Sequence, residues 1–307
     1  MAENMIATAL ITAPDYGALL ALVEDSVSSP HSKAAYRGAL LNFFGWWRER
    51  GGTLDRASVN AYRSAMEAGG KSPATVNQSL SAIKRFAAES AEMGYLDVAA
   101  ETAISRIPGV RQLGVRAGNW LTGEQATALL EAPDRHSLKG VRDRAILGLL
   151  VGAGLRRDEC ARLTREHIQE RDGRPCIVDL VGKGQRVRTV PIPPWVERRV
   201  SKWAEMAGIP GGRLFQRIDR HGNLGEYLCA GSIYGVVREY AAELGFAGLC
   251  AHDLRRTHAK LARRGGADLS QIQFALGHAS VATTERYVGE NQNLRHGPCD
   301  SLGLEIS

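Results

Sequence analysis

The chain has 307 residues, 44% of them apolar and 23% charged, a composition that excludes collagen-like, low-complexity and wholly disordered proteins. At roughly 150 residues per domain the length implies about two domains, each able to bury its own core. The 39 Lys and Arg against 33 Asp and Glu leave a net charge of +6. That favours an anionic partner without deciding for one, because many enzymes with no polyanionic ligand are equally basic.

No window approaches about 18 uninterrupted apolar residues, so no membrane-spanning helix is expected. The opening Met1–Gly17 is acidic first and only briefly apolar, without the basic start of a secretory signal. Five cysteines, at 160, 176, 229, 250 and 299, are odd in number and scattered. They fit reduced thiols in a cytosol better than a disulfide framework. Charge is uneven: residues 1–118 hold 12 basic and 11 acidic side chains, and residues 119–307 hold 27 and 22.

In chain order, the first part is expected to be a small helical bundle over residues 13–100. Ser32 can cap a helix whose apolar positions Tyr36, Ala39, Leu40, Phe43 and Trp47 recur at helical steps. A shorter helix is expected over 55–68. Ser72 followed by Pro73 is a cap with a first-turn proline. The helix beyond it presents Val76, Leu80, Ile83, Phe86 and Ala87 and stops near Gly94. Residues 101–118, with Arg106, Pro108, Gly109, Arg111, Gly114, Arg116 and Gly118, are expected to form an exposed basic linker. Structured sequence resumes at Asn119, with Thr122 and Gln125 spaced as a capping box.

The second part, 119–307, is expected to be helical with one β interruption. Ile177–Val181 and Arg186–Val190 are β-branched runs separated by Gly-Lys-Gly-Gln, the pattern of a hairpin. Helical patterns resume near 194–206, 231–244, 253–264, 268–276 and 281–288, and no internal repeat of 20 to 50 residues is evident.

Several residues in this part could carry chemistry. Gly154-Leu-Arg156-Arg157-Asp-Glu159 follows an apolar helix and opens another, so Glu159 can brace Arg156. A plain surface ion pair would look the same. The stretch lacks the third glycine, the preceding strand and the Gly-Lys-Ser/Thr of a nucleotide loop. Lys183 sits between two glycines at the hairpin tip, where an ammonium could reach a phosphate or protonate a leaving oxygen, or simply be solvated. Arg186 and Arg188, two apart on the returning strand, should share a face, making the hairpin a candidate to lie along a phosphate backbone.

His252 and Arg255 lie at i and i+3 on one helix face, a titratable imidazole beside a permanent guanidinium. His252 and His258 diverge around the helix and Cys250 adds no second ligand pair, so no metal site is expected. His278 after Leu276-Gly277, and Tyr287 nine positions further on, are individually weak signals. Together, three cations, two imidazoles and a phenol without an acidic cluster suit phosphoryl chemistry that uses protein groups in place of a metal.

This ordered set resembles the tyrosine recombinases, the phage-integrase family, over nearly the whole chain. The Gly-Leu-Arg-x-x-Glu box at 154–159 carries the resemblance, with Gly-Lys-Gly and Val-Pro-Ile at 182–184 and 190–192. So do His-x-x-Arg at 252–255, the Leu-Gly-His…Thr…Tyr ending at 276–287, and Ser-Pro-Ala-Thr-Val-Asn at 72–77. His258 departs from the small or aromatic residue more usual there.

The resemblance implies a mainly α protein: an N-terminal helical, SAM-like core-binding bundle, and a mixed, mostly α catalytic domain with a small β-sheet or hairpin, clamping duplex DNA. It implies that Tyr287 attacks a scissile phosphate to give a 3′-phosphotyrosyl link and a free 5′-hydroxyl, without metal, ATP or other cofactor. His252 would be the base that the phenol needs, and Lys183 the acid for the 5′ oxygen. Arg156 and Arg255 would grip the phosphate, His278 would add a hydrogen bond, and Glu159 would orient Arg156. Arg186, Arg188, Arg256, Lys84, Arg85, Arg111 and Arg116 are the candidate DNA contacts.

A helical pattern starting near residue 14 leaves no room for a separate arm-binding domain, which points to a simple two-domain, Xer-like type. A homotetramer on paired DNA sites is implied, with a possible accessory or partner recombinase, no membrane, and a cytoplasmic, nucleoid-associated location. A nicking-closing enzyme like type IB topoisomerases and a non-catalytic helical DNA-binding protein stand as the alternatives.

Overall fold

The computed structural model describes residues 16–27, 29–111, 119–182, 185–278 and 280–288. Lys183, Arg116 and the tail from residue 289 lie outside the described residues. The chain divides into two compact units, residues 1–115 and 116–307.

The first unit contains α1 (Tyr16–Asp25), α2 (Pro30–Arg50), α3 (Arg56–Ala68), α4 (Pro73–Glu92) and α5 (Val98–Ser105). The cap of α2 is Ser29 rather than Ser32, whose N–H it accepts. Pro30 takes the first helical position, where its fixed φ fits and its missing N–H costs nothing. Asp55 and Ser58 close a reciprocal capping box on α3, and Ser72 caps α4 through the Thr75 N–H. The core is aromatic at its centre. Phe44 meets Phe86 edge-on with centroids 4.9 Å apart, and Phe43 meets Tyr62 at 5.1 Å.

The expected linker from residue 101 begins inside folded structure. Asp97 caps α5, and Ile104 and Ile107 are fully buried in the first unit's core. Small residues (Val98-Ala-Ala-Glu-Thr-Ala) give α5 little periodicity, which hides it from a hydrophobic pattern. Beyond it the backbone is pinned by side chains from α3 and α4. Asn77 donates to the Val110 carbonyl (3.0 Å) and accepts from the Val110 N–H (2.7 Å). Arg63 donates to the Pro108 carbonyl at 3.2 Å. Lys84, expected on DNA, donates to the Ile107 carbonyl at 2.7 Å, and Arg85 pairs with Glu89 at 2.8 Å. Arg111 is exposed.

The second unit is built around α7 (Leu138–Gly152), buried on nearly every side through Val141, Ala145, Ile146, Leu149, Leu150 and Val151. It follows α6 (Gly123–Glu131), capped by Thr122 and Gln125 as expected. It packs against α9 (Pro194–Met206) and α11 (Ala251–Arg264). The remaining helices are α8 (Arg157–Arg162), α10 (Ala230–Glu243), α12 (Leu269–Leu276) and α13 (Val281–Val288).

The expected hairpin is β2 (Arg174–Val181) with β3 (Val187–Pro191), and it belongs to a three-stranded antiparallel sheet in the order β1-β2-β3. Strand β1 (Ile168–Arg171) was not expected: Ile-Gln-Glu-Arg is too short and polar to show an alternating pattern. In the turn joining it to β2, Asp172 and Gly173 both take positive φ, as an Asp-Gly hairpin requires. A second, two-stranded sheet pairs β4 (Gln216–Ile218) with β5 (Leu224–Tyr227).

Candidate active site

Arg156 is placed by two backbone features. Gly154 sits at φ +62°, and a Cβ there would come within 2.7 Å of Leu276 and 2.9 Å of the His258 ring, so only glycine fits. Arg156 then adopts extended geometry as the N-cap of α8. Its N–H donates to Glu159 Oε2 at 2.8 Å and its Nη1 to Oε1 at 2.7 Å. The bracing expected of Glu159 is thus present, but it does not form a surface pair. Glu159 is 2% exposed. Burial alone would raise its pKa; hydrogen bonds from Arg188 and the Arg156 N–H, with the two positive charges, hold the carboxyl below its ordinary range.

Arg188 corrects an expectation. Instead of joining Arg186 on an outer face, its side chain is 9% exposed and forks onto Glu159 at 3.0 and 2.9 Å. Parity within β3 explains it. Arg188 pairs across the sheet with buried Leu180 and alternates with buried Val190, so it shares the inward face. Arg186 precedes the strand and is exposed in the turn, where its carbonyl accepts from the Gly182 N–H at 2.8 Å.

Arg255, on α11, is 1% exposed. Its Nη1 donates to the Gly154 carbonyl at 2.7 Å and its Nη2 to the Leu276 carbonyl. One guanidinium therefore ties the Gly-Leu-Arg segment to the Leu-Gly-His segment, 101 and 21 residues away in sequence. His252 lies one turn earlier, exposed at a cleft of about 400 Å³ that it lines with Arg156, Arg157, Asp158, Tyr234, Cys250, Ala251 and Arg255. Partial loss of water lowers its pKa, helped by Arg256, Arg255 and Arg156 and opposed by Asp253, so its imidazole is neutral at pH 7. Arg256 approaches Asp253 at 3.8 Å.

His278 follows Gly277, which ends α12 in the left-handed conformation. Its Nδ1 is 2.9 Å from the Thr284 hydroxyl on α13. Burial first, then the charges of Arg255, Arg156, His252 and Arg188, push its pKa down to about 4. A histidine so shifted binds its proton below about pH 4 in the native state but below about pH 6.5 when unfolded. Acid therefore favours the unfolded chain, by about 2–3 kcal/mol from this residue as the pH falls from 7 to 4. Urea unfolding at pH 7 and 4.5 is expected to show a steeper loss of stability for the native chain than for His278→Asn. Equal losses would refute it.

The structure thus gathers Arg156, Glu159, His252, Arg255 and His278. The hairpin tip starts at the same cluster: a Cβ on Gly182 would lie 2.8 Å from Arg188 Nη1, 3.3 Å from Glu159 Oε1 and 3.5 Å from Arg156 Nη1. Tyr287 lies in the last turn of α13, which packs on α11 and α12. Among the described residues, no three His, Cys, Asp or Glu side chains gather as a metal site.

Two residues make contacts that the sequence did not indicate. Half-buried His258 donates from Nδ1 to the Val151 carbonyl at 2.9 Å and packs on Gly154. Buried Thr284 partners His278. His258 is marked only by a contact 107 residues away in sequence, and Thr284 by one six residues away.

The sequence pattern of the phage integrase family matches residues 119–293, more than half the chain, and that of the phage integrase N-terminal SAM-like domain matches residues 19–92. The chain belongs to the phage integrase family. It is 33% identical to the tyrosine recombinase XerC of Rhodospirillum centenum over 85% of this chain and 77% of that one. It is 28% identical to the XerC of Thermodesulfovibrio yellowstonii over 87% and 88%. The protein is accordingly a tyrosine-type site-specific DNA recombinase. Its fold is that of XerH bound to palindromic difH in a post-cleavage complex (TM-score 0.69, 23% identity, 84% and 76% covered). It is also that of a lambda integrase dimer bound to a core site (TM-score 0.65, 15% identity, 89% and 76% covered).

Proposed function

We propose that this recombinase opens and rejoins DNA strands by in-line attack of the Tyr287 hydroxyl on a scissile phosphate. A bond forms between phosphorus and the phenolic oxygen as the bond from phosphorus to the 5′ oxygen breaks. The phenol loses its proton to His252, and the departing 5′ oxygen takes one from Lys183. Arg156 and Arg255 bear the charge on the non-bridging oxygens, and His278 adds a hydrogen bond. Rejoining to a different 5′-hydroxyl reverses each transfer, because the tyrosyl ester stores the bond energy. A homotetramer on paired sites is the assembly that would present the second hydroxyl.

The observation that carries this reading is the common cleft of Arg156, His252 and Arg255. A phenol with a pKa near 10 needs a neutral base at pH 7, and the lowered pKa of His252 keeps it one. The test uses a pool of nicked duplexes with randomised sequence on both sides of the nick. Protein–DNA adducts that survive detergent and yield to protease are expected in excess EDTA, with the protein on the 3′ phosphate. No adduct, a 5′ linkage, or a requirement for divalent metal would overturn the mechanism. The trapped sequences then serve as the substrate for every measurement below.

A further inference from the structure

We propose that Arg188 is the positioning residue that seats the lysine-bearing hairpin on the Arg156–Glu159 box, so that it governs delivery of the proton to the leaving 5′ oxygen. This rests on Lys183 being the acid. Arg188 uses its whole fork: Nη1 and Nη2 on the two oxygens of Glu159 (3.0 and 2.9 Å), and Nε on the Ala275 carbonyl (2.9 Å). It is the point of β3 that fastens the hairpin to both the arginine box and the end of α12.

Two of the turn glycines of the site close around it. A Cβ on Gly182, the residue before Lys183, would lie 2.8 Å from its Nη1, and a Cβ on Gly277, the residue before His278, 3.0 Å from its Cδ. The backbone next to Lys183 and the backbone next to His278 therefore rest on one side chain. Charge adds to the geometry. Glu159 alone would cancel Arg156; with Arg188 beside it, the trio keeps a net positive charge toward the cleft. Burying such a pair is costly, and apolar residues of like volume often replace buried ion pairs without loss of stability. A lysine could not make all three bonds, because its ammonium is a single point.

Arg188→Met and Arg188→Lys are made in the full chain. Single-turnover cleavage is measured on two versions of the trapped nicked site, one with the ordinary 5′ bridging oxygen and one with sulfur in its place. Sulfur leaves as a thiolate and needs no acid. On the oxygen substrate Arg188→Met is expected to cleave about 100-fold more slowly, the scale of a lost general acid. Binding should stay within about threefold, and Arg188→Lys should fall between. On the sulfur substrate the Arg188→Met defect should shrink to less than about tenfold, as it should for Lys183→Ala.

Equal defects on oxygen and sulfur for Arg188→Met, with Lys183→Ala still rescued, would overturn the role of Arg188 while leaving Lys183 as the acid. Failure of sulfur to rescue Lys183→Ala would overturn the acid assignment and the coupling with it. Native-like cleavage by Arg188→Met would also overturn the proposal. If Arg188→Met does not fold, Arg188→Lys decides by the same comparison.

Discussion

Tyr287→Phe is expected to abolish the covalent adduct on the nicked substrate, with cleavage reduced by at least about 10⁴-fold and DNA binding within about threefold. The substitution removes one oxygen, the atom proposed to bond to phosphorus. The cations, proposed to bind phosphate whether or not it reacts, are unchanged. Loss of a nucleophile is the most complete single defect an active site can suffer, since the remaining groups stabilise a transition state that no longer forms. Helix α13 keeps its attachment through buried Thr284 and Val288, so the melting temperature should hold. Adduct formation at the native rate would remove Tyr287 as the nucleophile. Loss of binding together with cleavage would show that the variant has damaged more than the chemistry.

The second large effect separates the two arginines. Arg255→Lys and Arg156→Lys are each expected to slow cleavage by about 1,000-fold, because an ammonium cannot fork onto two phosphate oxygens. Their stabilities should differ. Arg255 is 1% exposed and spans the carbonyls of Gly154 and Leu276. A lysine reaches one and strands the other, at a cost of about 2–4 kcal/mol. The Arg156 side chain is 29% exposed, and Glu159 keeps its fork from Arg188 when Arg156 is shortened. Arg156→Lys should therefore stay within about 1 kcal/mol of the native chain. Urea unfolding alongside cleavage reads both quantities. Equal stabilities would mean that the Arg255 bridge does not hold the site together.

The segments of the candidate site were legible because their order along the chain resembles that of a family, although each residue alone is a weak signal. Gly154-Leu-Arg156, His252 with Arg255, and Leu276-Gly277-His278 were recognisable as segments, and α11 and the Gly154 turn bring them together. The caps at Ser72 and Thr122 were legible because their chemistry is local. Within the expected linker of 101–118, Arg106, Pro108, Gly109 and Arg111 are exposed as expected, but the helix at its start was missed because α5 has small residues where a pattern would show. What holds the segment beyond α5 is distant in sequence: Arg63, Asn77 and Lys84 bond Pro108, Val110 and Ile107. Arg188 was misread for a different reason. Counting two residues from Arg186 gave a shared face, whereas counting two from the apolar Val190 would have turned it inward. Thr284 and His258 act only through partners that the sequence leaves far apart or around a turn.

The hydrogen bonds of the site form a closed ring. Arg255 leads from Gly154 to Leu276; the neighbouring Ala275 carbonyl leads to Arg188, Arg188 to Glu159, Glu159 to Arg156, and the chain itself returns to Gly154. A ring behaves differently from a string of contacts. Cutting it once costs the broken contact but leaves every member tethered from the other direction. The second break has no such tether, and losses around the ring are not additive. The placement of these side chains is therefore a property of the closed loop as well as of each arginine in it.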